Sequence, residues 1–292
     1  VTIIVGNQSS ASIGNYDRIE RLKKQAPHRE ISEFIRFSYD KPVVSGFSPD
    51  TGDVEGGNTL AITGFNFGPD KMHVIQNMTT IVTIGGKACS NTLWLSDKLI
   101  ECKVPQGVGS NKEIVVTTQG QTFPPEGEAC SKCNACCKPI YYNYNGPKIH
   151  KISPNHGSTV GGTTVRIFGQ DFGDTDHLPT VMIDDQVCPE IMWKSKELIV
   201  CSTPAGWGTS KKVQVTVGDQ SSRPGEVVFN YDPPEVFSVT PEVCPTRGKC
   251  LLRISGANFG IEQGDHLQVR VGGKTCANVG EGCAAIRKPN ES

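Results

Sequence analysis

The sequence has no long hydrophobic run, no excess of charge of one sign and few aromatic residues. No stretch approaches about 18 consecutive apolar residues, so no transmembrane helix is predicted in this segment. Lysine and arginine number 29 against 30 aspartates and glutamates, whereas nucleic-acid binding usually requires a basic excess. No charged-then-apolar leader is present, so we expect any signal peptide to be removed or to lie outside this sequence. These absences argue against membrane-spanning and nucleic-acid-binding functions.

Helix-favouring residues are also scarce, while glycine and proline are abundant. The 292 residues include 32 glycines and 19 prolines, and only 36 % are hydrophobic. Such a composition favours short strands joined by turns. At about 150 residues per domain, the length predicts roughly two domains.

Cysteines and glycosylation motifs predict the compartment. Twelve cysteines without an obvious redox motif indicate an oxidising environment, and the even number would allow every one to be paired. Three Asn-x-Ser/Thr motifs make Asn7, Asn77 and Asn290 candidates for N-linked glycans. Together these features predict an extracellular or cell-surface protein.

An internal repeat organises the chain. Each copy begins with an apolar residue, Ser or Thr, and Pro, and continues to Ile-x-Gly-x-Asn/Asp-Phe-Gly. The proline and isoleucine are 13 residues apart in all three copies, at Pro49 and Ile62, Pro154 and Ile167, and Pro241 and Ile254. Residues 1–10 resemble residues 213–222, so we expect the chain to start with the end of a further copy.

The repeat predicts four segments. They are the C-terminal part of a domain with an inserted short helix (1–40), a domain with a cysteine-rich hairpin insertion (41–146), a domain without one (147–232) and the N-terminal part of a domain (233–292). Apolar residues alternate with polar ones in residues 59–63, 163–168 and 251–255, which is the period of a half-buried strand. Turn residues recur every 8–12 residues, as in β-sandwiches. The phenylalanines of the Asn/Asp-Phe-Gly motif, with Phe65, are predicted to close the end of each sandwich.

The series apolar-Ser/Thr-Pro, Gly-Gly, Ile-x-Gly-x-Asn/Asp-Phe-Gly and Gly-Gly-x-x-Cys resembles IPT/TIG domains. These immunoglobulin-like domains occur in plexins, Met-type receptors, fibrocystin-like proteins and many protist surface proteins. The resemblance implies an all-β chain of tandem immunoglobulin-like sandwiches arranged end to end. It also implies the disulfides Cys89–Cys102 and Cys188–Cys201.

The third copy departs from the family pattern. Pro289 stands where the second cysteine is expected, so Cys276 could pair with Cys283 or with a residue beyond this segment. The Gly-Gly turn is also absent there. Cys244 and Cys250 flank the same step and could close it with a disulfide.

Two insertions fall in the last hairpin of a domain. Residues 11–32 include a short amphipathic helix candidate at 16–24, which is either a surface decoration or a docking element for a neighbouring chain. Residues 123–139 carry Cys130, Cys133, Cys136 and Cys137. These four cysteines predict a disulfide-closed loop, with a bond to another chain as an alternative and a zinc or iron–sulfur site as a third.

No catalytic constellation is present. The six histidines form no HExxH or similar motif, and no nucleophile elbow, P-loop or dinucleotide fingerprint occurs. The acidic pairs Asp174/Asp176 and Asp184/Asp185 match no EF-hand spacing and are predicted to be solvated. We therefore predict no catalytic residues, no cofactor and no metal.

The sequence predicts a structural or adhesive extracellular protein. Short proline-containing joints predict a stiff rod or surface filament, such as a ciliary or flagellar appendage, with self-association or neighbouring chains of an assembly as partners. The alternatives are the stalk of a plexin-like or Met-like receptor and an accessory carbohydrate-binding module. The last would need an aromatic platform, yet Trp94 and Trp193 occupy equivalent repeat positions, which indicates core packing, and Trp207 does not cluster with them.

Overall fold

The computed structural model describes residues 40–68, 80–118, 120–124, 138–260 and 267–276, and the backbone of three further short strands. The regular secondary structure of these residues is entirely strand, which confirms the all-β prediction. Two compact units are separated at Lys41 and Pro42. In the first unit, β1 (Ile4–Val5) pairs antiparallel with β2 (Gln8–Ser9). The predicted helix at 16–24 lies outside the described residues.

Residues 42–146 of the second unit form a β-sandwich, here called the first sandwich. Its strands are β3 (Val43–Ser48), β4 (Thr51–Gly52), β5 (Thr59–Phe65), β6 (Thr80–Ile84), β7 (Lys87–Ala88), β8 (Thr92–Ser96), β9 (Leu99–Lys103), β10 (Lys112–Thr118), β11 (Gln121–Phe123) and β12 (Tyr141–Tyr144). One sheet has the order β3-β5-β9-β8. The other has the order β4-β12-β10-β6-β7, with β11 also paired to β10.

Residues 147–232 form the second sandwich. Its strands are β13 (Lys148–Ser153), β14 (His156–Gly157), β15 (Thr164–Gln170), β16 (Thr180–Ile183), β17 (Gln186–Val187), β18 (Glu190–Ser195), β19 (Leu198–Ser202), β20 (Lys211–Val217), β21 (Gln220–Ser221) and β22 (Val228–Tyr231). The sheets repeat the topology of the first sandwich, as β13-β15-β19-β18 and β14-β22-β20-β16-β17, with β21 paired to β20. The recurrence confirms tandem immunoglobulin-like sandwiches.

The third block, residues 233–287, is built differently. It contains β23 (Glu235–Thr240), β24 (Leu252–Ala257), β25 (Arg270–Val271), β26 (Lys274–Thr275) and β27 (Cys283–Arg287). Strand β24 pairs antiparallel with β23 and parallel with β27, whereas β5 and β15 have two antiparallel neighbours. Val236 is 57 % exposed, although its counterparts Val44 and Ile149 are buried.

Each sandwich has one hydrophobic core between its sheets. Leu60 and Ile62 on β5, like Val165 and Ile167 on β15, are buried at alternate positions, as the two-residue period predicts. Phe67 and Phe172 of the Asn/Asp-Phe-Gly motif are fully buried. Phe65 is 51 % exposed, so the prediction that it closes the sandwich is wrong. Strand alternation directs it to the outer face, because Leu60 and Ile62 point inward.

Backbone geometry explains the residues of this motif. Asn66, Asp171 and Asn258 have positive φ angles of 64°, 61° and 59°, a region that Asn and Asp enter more readily than most residues. Gly64 and Gly169 lie where a Cβ atom would collide with the carbonyl oxygen of the neighbouring strand and with the ring of the motif phenylalanine. The motif is therefore a packing requirement at the end of each sandwich.

Candidate functional site at the domain joints

Two disulfides are present among the described residues. Cys89 and Cys102 form a disulfide within the first sandwich, and Cys244 and Cys250 form one in the third block. Cys276 has no disulfide partner within the described part of the chain, and Cys283 is described only as backbone of β27. Several candidate sites lie outside the described residues, namely Asn7, Asn77, Asn290, Cys130, Cys133, Cys136 and Cys137.

Cys188 and Cys201 occupy the positions of the Cys89–Cys102 disulfide in the second sandwich. Their sulfur atoms are 2.8 Å apart, and the structure holds both as buried thiols. The hydrogen bond to Cys201 and burial raise the pKa of the Cys188 thiol. The two side chains are therefore placed to pair without rearrangement of the sandwich.

The acidic pairs do not converge on a metal site. Asp174 Oδ1 lies 2.7 Å from His177 Nε2, and only 9 % of the Asp174 side chain is exposed, so its prediction as a solvated carboxylate is wrong. Burial raises the pKa of Asp174, but the hydrogen bonds from His177 and the backbone together with the charges of His177 and Lys87 outweigh it, so the net shift is downward. Asp184 pairs with Lys211 at 3.0 Å. Within the described residues, no three His, Cys, Asp or Glu side chains are grouped to hold a metal.

The tryptophans divide as their repeat positions predict. The Nε1 atoms of Trp94 and Trp193 donate hydrogen bonds to the carbonyl oxygens of Phe67 and Phe172, both at 3.0 Å. Both rings pack against the sandwich cores, which confirms the core prediction. Trp207 is 40 % exposed. These three residues therefore form no shared aromatic platform.

In each sandwich a buried tyrosine forms a hydrogen bond to the loop that faces the next domain. The hydroxyl of Tyr144 donates to the carbonyl of Pro105 at 2.7 Å, and that of Tyr231 to the carbonyl of Pro204 at 2.9 Å. Burial raises the pKa of both phenols to about 12. These contacts hold the Pro-x-Gly turns, so the residues after each turn have a defined conformation.

The first joint lies between the first and second sandwiches and is held by direct contacts. The Asp219 carboxylate, in the turn between β20 and β21, accepts hydrogen bonds from the amide and hydroxyl of Ser110 at 2.7 and 2.6 Å. Hydrogen bonding to Ser110 lowers the pKa of Asp219. Gln220 Nε2 donates to the carbonyl of Tyr144 at 2.9 Å. Val108 packs against the cores of both sandwiches.

A second contact at this joint comes from the Asn/Asp-Phe-Gly motif. The buried Asp171 carboxylate lies near the backbone amide of Val54, which acts to lower its pKa. Burial raises the pKa of Asp171, and the nearby Asp53 adds to the shift. Lys196 also forms an ion pair with Glu55 at the surface, a type of contact that contributes little to stability.

The second joint, between the second sandwich and the third block, repeats the motif contact. Asn258 Oδ1 accepts hydrogen bonds from the amide of Thr159 at 3.4 Å and the hydroxyl of Ser158 at 3.3 Å. Asn258 and Thr159 are the repeat counterparts of Asp171 and Val54. A cleft of about 730 Å³ opens at this joint. Its lining includes His156, Trp207, Gly208, Thr209, Tyr231 and Pro233.

Sequence reasoning did not find the joint contacts. It assigned the phenylalanines of the Asn/Asp-Phe-Gly motif to the end of each sandwich and attributed stiffness to the proline-containing linkers. The recurrence of Asn or Asp at one repeat position, at Asn66, Asp171 and Asn258, could have indicated these contacts. In the second and third copies this side chain faces the preceding domain.

The fold and the repeated joints define a tandem array of immunoglobulin-like β-sandwiches. Comparison with known proteins assigns the family, because the IPT/TIG domain model matches residues 42–128 and 147–231. The chain belongs to the IPT/TIG family, as its motifs predicted.

Relatives in this family include long proteins. Fibrocystin-L of Homo sapiens is 26 % identical over 245 residues, which cover 82 % of this chain and 5 % of that protein. Plexin-A2 of Mus musculus is 28 % identical over 240 residues, covering 78 % and 12 %. The solved full extracellular region of plexin A4 is 22 % identical, with a TM-score of 0.30 over 71 % of this chain and 20 % of that chain. The chain thus spans a small part of the length of the curated relatives it matches.

Family membership and the intradomain disulfides indicate an extracellular domain segment. Among the described residues, none form a helix that could cross a membrane.

Proposed function

We propose that this chain is a non-enzymatic structural or adhesive segment of a large extracellular glycoprotein, in which successive IPT/TIG domains form a stiff rod or surface filament. The first joint is the observation that carries the proposal. Asp219, Gln220 and Asp171 of one domain contact the backbone of the preceding one, and Val108 packs on both cores. Several contacts distributed around a joint resist bending more than one tether does, because each would have to break.

Glycans on Asn7, Asn77 and Asn290 and the disulfides would protect such a segment outside the cell. The loop with Cys130, Cys133, Cys136 and Cys137 would then serve for internal disulfides or a bond to another chain. Insertions in hairpins place variable sequence away from the joints, so lateral contacts could differ between domains while the domain array stays the same.

Small-angle scattering of the intact chain, combined with sedimentation, tests this proposal. We expect a profile that one fixed arrangement of the two sandwiches reproduces, and self-association at rising concentration. A profile that requires freely jointed domains would contradict the stiff rod. A protein that stays monomeric and does not adhere would contradict the assembly role.

A receptor stalk is the second candidate, and similarity to plexin-A2 favours it. It predicts a transmembrane helix and a cytoplasmic region elsewhere in the full-length protein. The full-length sequence distinguishes the two functions, since a filament component needs no intracellular signalling domain.

A further inference from the structure

We propose that the cleft at the second joint is a preformed receptor for an acidic β-turn of a neighbouring IPT/TIG domain. The proposed occupant is a Gly-Asp-Gln turn that corresponds to residues 218–220, bound through its acidic side chain to the amide and hydroxyl of Thr209. This inference rests on the tandem-domain proposal above and names the partner of one joint.

The occupied first joint shows how such a turn binds. The Asp219 side chain bonds to Ser110, Gly218 lies against Val108 and Gly109, and Gln220 bonds to the carbonyl of Tyr144. The repeat counterparts of these first-sandwich residues all line the cleft at the second joint, as Trp207, Gly208, Thr209 and Tyr231. The same receptor surface is therefore present in both places.

The receptor loop has the same backbone conformation at both joints. Gly109 and Gly208 have φ angles of 90° and 85°, and the residues Asn111 and Ser210 have φ angles of 52° and 57°. The amides of Asn111 and Ser210 each donate to an asparagine side chain, Asn143 or Asn230, at 2.8 Å. The donors of Thr209 are thus held in the arrangement that binds a carboxylate at Ser110, which removes the cost of ordering the loop on binding.

The charged side chains at the cleft differ from those at the first joint. Lys112 helps to lower the pKa of Asp219 at the first joint, whereas its counterpart Lys211 lies beside Gly208 and is paired with Asp184 at 3.0 Å. The acidic group in the cleft, Asp232, is already paired with His156 at 2.7 Å. Hydrogen bonds to an ionised acceptor are stronger than neutral ones, so the acid should contribute much of the affinity.

The replacement of Val108 by Trp207 distinguishes the second receptor from the first. A tryptophan at this wall offers a larger apolar surface to the glycine of the turn, and aromatic residues are often the anchors of protein interfaces. The chain itself contains one sequence of the required type, Val217-Gly218-Asp219-Gln220.

Titration of the intact chain with a backbone-cyclised peptide of residues 213–222 tests the proposal. Amide NMR spectra would follow the Thr209 amide and the Trp207 indole. We expect saturable shifts of both signals, and an Asp219→Ala peptide that binds about tenfold more weakly. A Thr209→Val chain should also bind the parent peptide several-fold more weakly, whereas Thr164→Val, at an exposed position of β15 away from the cleft lining, should bind it normally.

Two results would overturn the proposal. One is the absence of shifts at Thr209 and Trp207 with millimolar peptide while the rest of the spectrum shows a folded chain. The other is equal affinity for the Asp and Ala peptides. Scattering of the unliganded chain is independent of this titration, so failure of the receptor and failure of the stiff rod would be told apart.

Discussion

At the residue scale, one position of the repeat combines two requirements. Asn66, Asp171 and Asn258 all adopt positive φ. Asn258 also accepts a backbone hydrogen bond from the preceding domain, and Asp171 lies near the corresponding amide of Val54. The side-chain amide of Asn258 occupies this position without burying a charge, whereas the Asp171 carboxylate must lose hydration when it is buried in its charged form. The first joint therefore carries an electrostatic cost that the second does not.

Replacing Asp171 by Asn should stabilise the protein at neutral pH. The raised pKa of Asp171 means that the folded state binds its proton more tightly than the unfolded state, so the carboxylate destabilises the fold above this pKa. We expect Asp171→Asn to raise the free energy of unfolding by about 0.5–1 kcal/mol at neutral pH. The gain should vanish below about pH 3.9, where the acid is protonated in both states.

Urea unfolding of the parent protein and of Asp171→Asn, at neutral pH and below about pH 3.9, measures the difference in their free energies of unfolding. The matched control is Asp185→Asn, since Asp185 is exposed on the β16–β17 turn, and it should leave stability unchanged. A stabilising effect of equal size at both pH values would contradict the electrostatic explanation.

The buried tyrosines predict a loss of stability in alkali. The pKa of Tyr144 and Tyr231 is raised to about 12 by burial, while an unfolded tyrosine ionises near pH 10. Between these values the unfolded state loses protons that the folded state keeps. The free energy of unfolding therefore falls as pH rises from about 10 to about 12.

Urea unfolding midpoints measured at about pH 9 to 11 check this expectation, because free tyrosine ionises within this range. We expect the midpoint to fall as the pH rises. Tyr144→Phe should make the alkaline fall shallower, because one of the buried phenols with a raised pKa is removed. Tyr141→Phe is the control, since Tyr141 is 44 % exposed on the same strand. A midpoint that does not move with pH in the parent protein would refute the assignment.

At the element scale, the turn between β20 and β21 makes the main polar contacts between the two sandwiches at the first joint. Its Asp219 and Gln220 contact Ser110 and Tyr144 of the other sandwich. Strands β20 and β21 belong to the second sandwich and hold the turn rigid, so the contact is made without ordering a free segment.

Asp219→Ala should loosen the joint while both sandwiches stay folded. The variant loses two hydrogen bonds to an ionised acceptor, which are worth about 1.5–3 kcal/mol each when well shielded and less at this exposed site. Residual dipolar couplings would show one shared alignment for the two sandwiches in the parent and two different ones in the variant. Asp185→Ala is the control. A shared alignment of the two sandwiches in both variants would show that the Asp219 contacts do not hold their relative orientation.

At the scale of the whole molecule, the covalent state reports the compartment. We expect peptide mapping of the native, non-reduced protein to link Cys188 with Cys201, as well as Cys89 with Cys102, because their sulfur atoms are already 2.8 Å apart. Mapping with and without deglycosylation should also find sugar on Asn77. Free thiols throughout, with no glycan, would contradict the extracellular assignment.

The same map decides the role of the cysteine-rich insertion. Links among Cys130, Cys133, Cys136 and Cys137 within one chain would make the insertion a closed loop. A link to a second chain would make the assembly covalent, which favours the filament over the receptor stalk.

The family and the repeated fold could be predicted from sequence because both rest on local patterns. Leu60 and Ile62 alternate with polar residues, the Pro-to-Ile spacing recurs, and Trp94 and Trp193 hold matching positions. Phe65 was assigned wrongly because the motif suggested an aromatic pair, while strand alternation places it outside. Asp174 was assigned wrongly because its contact with His177 depends on a loop fold that carries no periodic signal.

The sequence by itself determined that this protein is a row of IPT/TIG sandwiches rich in cysteine, because alternation, turn residues and motif spacing act over a few residues. Only the tertiary structure decided how neighbouring domains are joined. Ser110 and Asp219 stand far apart in the chain, as do Val54 and Asp171, and they meet because two separately folded sandwiches bring their loops together. A contact of this kind has no period, so it becomes visible when the backbone of both domains is in place.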